Sequence, residues 1–454
     1  MDKRLLIINV IVGLAISVLL FPDGAVAVLF GVVCSGLAIA VFSRYSEEKH
    51  ILINIFLLAL LVRVLLGTTI YSLGWQDFFA PDAMTYDLRG IRLVEIWHGL
   101  ASADDEFGKV AASTSGPGWG MNYLVGAIYA VFGRNMLAVQ MLGCVLGAAT
   151  ASVIYLCSNK IFHNQRVSKT VALIVALSPS MVLWSCQMIK DGFIIFLLAM
   201  IMLALLHLLE KISYVFLIIL VLSLFGVISL RFYIFYMVAI AVVGSFVVGS
   251  SNSSQSIFRR LVIIVLMGLG TTYLGVLNRA SVEFEKYGSL DAVQASRHSL
   301  ATQSAVGKVN SGFGEDLDVS TTGGAISAIP IGLSYLLLAP FPWQIANFRQ
   351  AITLPEMLLW WASIPLLIMG LWYTIKHRLR AAIGILLFTF MLTIGYAIFQ
   401  GNVGTAYRQR AQILVFLYIF ISVGWSLLQE KRENKVYLKN VAQQRLRKRI
   451  QIET

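Results

Sequence analysis

The chain has 454 residues, of which 58% are hydrophobic and 13% charged, and its mean hydropathy is +0.80. Soluble domains are nearer half apolar and a quarter charged, so the composition excludes a water-soluble globule. The apolar residues stand in long unbroken runs, whereas transmembrane β-barrels show short alternating segments. The sequence therefore predicts an all-α, polytopic membrane protein.

Runs of roughly 17–25 apolar residues are long enough to cross a bilayer as helices. By that criterion the chain has about twelve spans. In chain order they are 4–20, 24–43, 51–74, 136–158, 167–187, 190–209, 213–230, 232–249, 261–278, 356–376, 380–400 and 411–428. The stretch 324–340 is apolar as well. Its glycines and prolines favour a re-entrant or interfacial segment, because a further span there would break the charge pattern downstream.

The net charge of +12 is unevenly distributed along the chain. With a cytoplasmic N-terminus, most Lys and Arg residues fall on the cytoplasmic side, as the positive-inside rule requires. Both long polar loops then lie outside the cytoplasm. The resulting division is N-terminal spans at 1–74, a first extracytoplasmic loop at 75–135, a central transmembrane bundle at 136–278, a second extracytoplasmic loop at 279–355, C-terminal spans at 356–428 and a basic cytoplasmic tail at 429–454.

This division predicts a multi-pass protein of the inner (plasma) membrane with its active site outside the cytoplasm. Long loops beside charged span ends are where chemistry is expected. Because no ATP is available on that side, a transferase there needs an activated donor carried by a membrane lipid. The basic tail is expected to contact anionic membrane lipids. The sequence contains no P-loop, dinucleotide-binding or nucleic-acid-binding motif, so we expect no nucleic-acid partner.

The first loop opens with three carboxylates spaced five residues apart, Asp77, Asp82 and Asp87. Pro81 suits the first turn of a helix, and Asp82 favours the positive N-terminal end of that helix. Capping alone therefore accounts for Asp82, with Asp77 and Asp87 as solvated charges. In the functional alternative, Asp82 is a general base or metal ligand at the bilayer surface, and Asp77 and Asp87 are further acids near the acceptor.

Three later stretches extend this pattern. They are Gly116-Pro117-Gly118-Trp119 followed by Phe132-Gly133, then Ala176-Leu177-Ser178-Pro179-Ser180, and Trp184-Ser185. Together with an acidic residue just after an early span, they resemble the GT-C glycosyltransferases that use polyprenyl-phosphate sugars, in particular the bacterial protein-mannosyltransferase-like members. The resemblance covers residues 75–195.

The resemblance implies a GT-C-like fold and an inverting transfer of a sugar from a polyprenyl-phosphate donor to an extracytoplasmic acceptor, which is a protein, a glycan or a lipid. It also implies that Asp82 is the catalytic residue and activates the acceptor hydroxyl. The chain differs from the family in having three spans before this loop, and Lys190-Asp191 where many relatives have Glu. The acceptor class and any need for a divalent metal therefore stay open, and no cofactor is firmly implied.

Charged residues at the extracytoplasmic span ends are candidates for binding the donor phosphate. Lys190 and Asp191 separate two spans, and Arg231 separates two others. Their structural explanations are charge neutralisation at a helical hairpin and snorkelling to the interface. Arg408 and Arg410 follow a glycine-containing turn and are expected to form a fork that holds phosphate oxygens bidentately. The structural alternative for this pair is a tight turn whose arginines snorkel to lipid headgroups. Asp191 is a second candidate acid.

Two other functions are compatible with the sequence. An O-antigen-polymerase-like or ligase-like enzyme would also use a lipid-linked glycan, but would depend on arginines and need no acid in the first loop. A flippase or other transporter of lipid-linked oligosaccharides is the third candidate, although no repeat of Gly/Pro-broken spans supports it. The Asp-x-Asp at Asp316 and Asp318 is expected to be a solvated acidic stretch.

Overall fold

The computed structural model describes residues 24–45, 48–248, 254–306, 312–314, 317–345 and 348–453. Within these ranges the chain is helical, with one 3₁₀ turn at Pro342–Gln344 and no β-sheet. An isolated antiparallel bridge joins Gly312 to Asn402. The predicted all-α class is confirmed.

The helices up to the middle of the chain are α1 (Gly24–Phe42), α2 (Lys49–Ser72), α3 (Gln76–Phe79), α4 (Asp82–Trp97), α5 (Glu106–Ala112), α6 (Trp119–Phe132), α7 (Met136–Phe162), α8 (Gln165–Leu177), α9 (Pro179–Ser185) and α10 (Lys190–Glu210). Those that follow are α11 (Tyr214–Leu230), α12 (Phe232–Val248), α13 (Ser254–Tyr273), α14 (Val276–Tyr287), α15 (Leu290–Val306), α16 (Thr322–Leu338), α17 (Phe348–His377), α18 (Leu379–Phe399) and α19 (Val403–Glu453).

Seven of the described helices are long and apolar enough to cross a membrane, and the number rises to nine if two bent pairs of helices each form one span. The expected number of about twelve is not confirmed. The predicted span 4–20 lies outside the described residues. Helices α11, α12 and α16 are apolar but 17 residues long, at the lower limit of a membrane span, and are not among the seven. The predicted spans 167–187 and 261–278 are replaced by the pairs bent by 56° and 75°.

Helix α7 lies at the centre of the bundle, with 89% of its most apolar segment buried, and packs against α1, α2, α8 and α10. Small residues on α7 permit this close approach. A side-chain carbon added at Gly147 would lie 2.3 Å from the Ser185 Cβ atom. Such contacts between small residues are a main source of helix association in lipid, where burial from water contributes nothing further.

The bend between α8 and α9 sets where the next helix begins. Pro179 cannot continue the hydrogen-bond ladder of α8, so carbonyl groups at the end of α8 are freed. The guanidinium of Arg63, which is 1% exposed, donates to the carbonyl oxygens of Val175 and Ala176 at 3.2 and 3.0 Å. A cation is favourable at a helix C-terminus. After α9 the chain turns, and α10 begins at Lys190.

The two long loops contact each other. The Glu283 carboxylate on α14 accepts a hydrogen bond from the backbone N–H of Gly116 in the first loop, at 2.7 Å. Arg349 at the start of α17 donates to the backbone carbonyl of Asp77, at 3.3 Å. Both loops therefore lie at one end of the bundle, which we call the loop end.

Candidate active site

Asp82 is the first residue of α4 and lies at the loop end, where its side chain is 46% exposed. Pro81 precedes it at the N-cap position. The local sequence thus places a carboxylate on the first turn of a helix, as the spacing predicts. Its exposure leaves one side of the carboxylate open to a second molecule.

Four charged side chains join Asp82 to the membrane-embedded helices. The Asp82 carboxylate lies 2.7 Å from Nη1 of Arg408, and Nε of the same guanidinium lies 2.5 Å from the carboxylate of Asp191. Asp191 also pairs with Nη2 of Arg231 at 3.1 Å. Asp191 is fully buried and Arg231 is 5% exposed. Together with neighbouring Lys190, these residues form the ion-pair cluster.

Lys190 is fixed in the ion-pair cluster by close packing. A side-chain carbon added at Gly118 would lie 3.0 Å from the Lys190 Nζ atom and 3.3 Å from the Tyr86 hydroxyl. Gly118 has a φ of +81°, in the left-handed region that favours glycine. Lys190 interacts electrostatically with Asp82, Asp191 and both arginines of the cluster. Among the described side chains, no carboxylate lies within 4 Å of its ammonium.

Tyr86 lies one turn after Asp82 on α4 and is 6% exposed. Burial raises the pKa of Tyr86, and the negative charge of Asp82 raises it further. The phenol therefore stays protonated over the physiological range and keeps its hydroxyl as a hydrogen-bond donor.

Gln412 and Tyr396 support Asp191, and neither was predicted from the sequence. The Gln412 side-chain amide donates to the Asp191 carboxylate at 3.4 Å, and its carbonyl oxygen accepts from the Tyr396 hydroxyl at 2.7 Å. Gln412 follows Arg408 by four residues, so both lie on the same face of α19. That spacing would have indicated Gln412 if the helix had been predicted to begin before Arg408.

Arg410 lies apart from the ion-pair cluster, and the predicted fork with Arg408 does not form. The segment expected to be a turn is already helical from Val403, and residues two apart point about 200° away from each other on an α-helix. Arg410 is 1% exposed. Its Nη1 atom donates to the carbonyl oxygens of Leu337 and Ala339 at the end of α16, at 3.2 and 2.9 Å.

The other two first-loop carboxylates also lie outside the cluster. Asp87 is 2% exposed, accepts from the Tyr129 hydroxyl at 2.6 Å and pairs with Arg134 at 2.5 Å, so it joins α4 to α6 and the turn after it. Asp77 is exposed, on the four-residue helix α3. The positions of Asp77 and Asp87 therefore do not favour contact with an acceptor or donor bound beside Asp82.

Within the described part of the chain, no three His, Cys, Asp or Glu side chains are grouped so as to hold a metal ion. The two carboxylates of the ion-pair cluster are both engaged by Arg408. Of the predicted Asp-x-Asp, Asp316 lies outside the described residues, and Asp318 is exposed.

The family model of dolichyl-phosphate-mannose-protein mannosyltransferases matches residues 117–273, a third of the chain. The matched segment includes Gly118, Lys190, Asp191 and Arg231 of the site. The match supports a membrane glycosyltransferase of the GT-C type. It confirms the predicted resemblance and the prediction of a multi-pass membrane enzyme. No curated protein matches the chain.

Proposed function

We propose that the chain transfers a sugar from a polyprenyl-phosphate donor to an acceptor hydroxyl, with inversion at the anomeric carbon. The observation that carries this proposal is the single guanidinium of Arg408 between Asp82 and Asp191 at the loop end. It places a half-exposed carboxylate, suited to take a proton, directly beside cations suited to hold a phosphate.

The charges of the cluster favour an anionic ligand. Three basic side chains, Lys190, Arg231 and Arg408, surround two carboxylates, so the cluster has one more basic group than acidic groups. In addition, Nη1 of Arg231 is buried and makes no hydrogen bond to a carboxylate or carbonyl oxygen of the described residues, although the Arg231 side chain contacts the Tyr396 hydroxyl. A buried guanidinium nitrogen of this kind gains a strong, charge-assisted hydrogen bond when a phosphate oxygen approaches.

In the proposed reaction, the acceptor oxygen attacks the anomeric carbon as the bond from that carbon to the phosphate oxygen breaks. The acceptor proton passes to Asp82, and polyprenyl phosphate leaves with the bonding electron pair. A positioned general base contributes about 10²–10⁴-fold to such a step. Electrostatic stabilisation of the leaving phosphate by the three cations is the second contribution.

We place the reaction on the extracytoplasmic side of the inner membrane, because the distribution of Lys and Arg residues puts both long loops there. The acceptor is then a protein, glycan or lipid hydroxyl outside the cytoplasm. The lipid tail of the donor reaches the site laterally through the membrane, since α10 and α19, which carry the cluster, are both candidate spans.

The experiment incubates membranes from cells that express the chain, and from matched cells that lack it, with radiolabelled polyprenyl-phosphate sugars including mannose and arabinofuranose. We expect release of free polyprenyl phosphate and labelling of a product with one of these donors, only when the chain is present. The anomeric configuration of the product, read by NMR, should be opposite to that of the donor.

Two results would contradict the proposal. Donors that stay intact while crossing the membrane would indicate a flippase. A product in which a whole lipid-linked oligosaccharide has been transferred, with no reaction of monosaccharide donors, would indicate a polymerase-like or ligase-like enzyme.

A further inference from the structure

A second buried carboxylate, Glu356 on α17, lies outside the ion-pair cluster. Glu356 is 8% exposed. Its carboxylate accepts from the hydroxyl groups of Ser178 and Ser180, both at 2.7 Å, from the backbone N–H of Ser180 at 3.1 Å and from the hydroxyl of Tyr407 at 2.5 Å. Four donors therefore converge on one carboxylate inside an apolar bundle.

These donors belong to two of the chain segments that carry the ion-pair cluster. Ser178 and Ser180 flank Pro179 at the start of α9, which leads directly to Lys190 at the start of α10. Tyr407 immediately precedes Arg408 on α19. Glu356 thus fixes the start of α9 relative to the first turns of α19.

The same face of α17 also holds the segment that carries Asp82. Arg349 stands seven residues before Glu356, two turns of helix away on the same face. It donates to the backbone carbonyl of Asp77, and its guanidinium lies 4.6 Å from the ring centre of Phe78. Both contacts are on α3, directly before α4. One helix therefore contacts the chain on both sides of the Asp82–Arg408 pair.

We propose that Glu356 is a positioning residue that holds Arg408 in place for the donor phosphate, acting through the Tyr407 hydroxyl. This inference rests on the proposed function, since it assigns to Arg408 the binding of phosphate.

The contacts favour a carboxylate at this position. A carboxylate group offers two acceptor oxygens, and all four of its partners donate to them. Glutamine would turn an NH₂ group toward some of these donors, whose hydrogens would then need other acceptors in the interior. Ser178, Ser180 and Tyr407 would then lose their common anchor, and the start of α19 would be free to shift relative to α10.

The experiment uses the full chain in lipid nanodiscs and polyprenyl monophosphate as the probe, because this product is common to all polyprenyl-phosphate sugars. Tyr407→Phe removes one hydroxyl and keeps the ring that lies 4.8 Å from the Arg410 guanidinium. We expect the Kd for polyprenyl monophosphate to rise about tenfold while the variant stays folded, with an unfolding temperature lowered by no more than a few degrees. Glu356→Gln should raise the Kd further.

The matched control is Tyr418→Phe, the same change on the same helix. The Tyr418 hydroxyl contacts Ser178 at 3.2 Å and makes no hydrogen bond to the carboxylate among the described contacts. We expect the Kd of this variant to equal that of the wild type.

A double-mutant cycle separates positioning from a general structural effect. If Tyr407 acts through Arg408, Tyr407→Phe should raise the Kd less than twofold in an Arg408→Lys background. An unchanged Kd in Tyr407→Phe alone, or the full tenfold rise in both backgrounds, would overturn the inference. A wild-type chain that does not bind polyprenyl monophosphate would instead overturn the proposed function.

Discussion

Replacing Arg408 with lysine tests the bridge at the centre of the candidate site. The guanidinium contacts Asp82 through Nη1 at 2.7 Å and Asp191 through Nε at 2.5 Å, so it uses two nitrogens at once. Lysine keeps the positive charge but has a single nitrogen and lacks the planar fork. When the donor is bound, lysine therefore has no second nitrogen to offer a phosphate oxygen, and one charge-assisted hydrogen bond to the phosphate is lost, at a cost of about 1.5–3 kcal/mol. This corresponds to a roughly ten- to hundredfold weaker hold on the donor phosphate.

The assay measures the KM and kcat for a labelled donor and the Kd for polyprenyl monophosphate, with the unfolding temperature as the measure of folding. Arg410→Lys is the matched variant, two residues away on the same helix. Because Arg410 donates to carbonyl groups at the end of α16, its replacement should lower the unfolding temperature and leave the KM for the donor unchanged. Normal donor kinetics in Arg408→Lys, or a larger kinetic defect in Arg410→Lys, would refute the reasoning.

Three further predictions concern packing, charge and topology. Gly118→Ala should lower the turnover of sugar transfer more than Gly116→Ala does, when the two variants are compared at equal expression. Both glycines have a positive φ, but only a side-chain carbon added at Gly118 meets the Lys190 amino group. An equal loss of turnover in the two variants would argue against this contact. Asp191→Asn should lower the free energy of unfolding by roughly 3–5 kcal/mol, since it leaves the buried Arg231 without its carboxylate and Arg408 with Asp82 alone. A calorimetric melt like that of the wild type would contradict the assignment. Cysteines introduced at the exposed positions 104 and 289 should both react with an impermeant thiol reagent in intact cells, and protection of either would refute the proposed orientation.

Most of the helical architecture could be predicted from the sequence because apolar runs of sufficient length have few alternatives in lipid. The bends could not. The predicted span 167–187 is continuous in hydropathy. Pro179 marks a point where a helix can break, but the sequence does not show that Arg63, a residue of another helix, binds the freed carbonyls. The number of spans is also difficult to predict where a helix has only 17 residues, since hydropathy alone does not distinguish a short span from an interfacial helix.

The site was predicted in part. Asp82, Lys190 and Arg231 lie at predicted span ends, and these positions indicate a cluster of charged side chains on one side of the membrane. The structure brings the three residues together with Arg408. Arg410 was grouped with them because the start of α19 was read as a turn. Glu356 gave no signal of its own, because a single acid at the start of an apolar run is also expected at a membrane interface. Its partners are far apart in the sequence and meet only in the fold.

The central claim is that Asp82 removes the proton of the acceptor hydroxyl while the cations of the ion-pair cluster hold the phosphate. The most direct test compares sugar transfer by Asp82→Asn, by the wild type and by Asp104→Asn, an exposed acid of the same loop. For Asp82→Asn we predict turnover lower by about 10²–10⁴-fold, because the general base is lost. Binding of polyprenyl monophosphate should remain, since Arg408, Arg231 and Lys190 are intact, and Asp104→Asn should resemble the wild type. Full transfer activity in Asp82→Asn would contradict the account and favour an arginine-centred enzyme that needs no acid in the first loop.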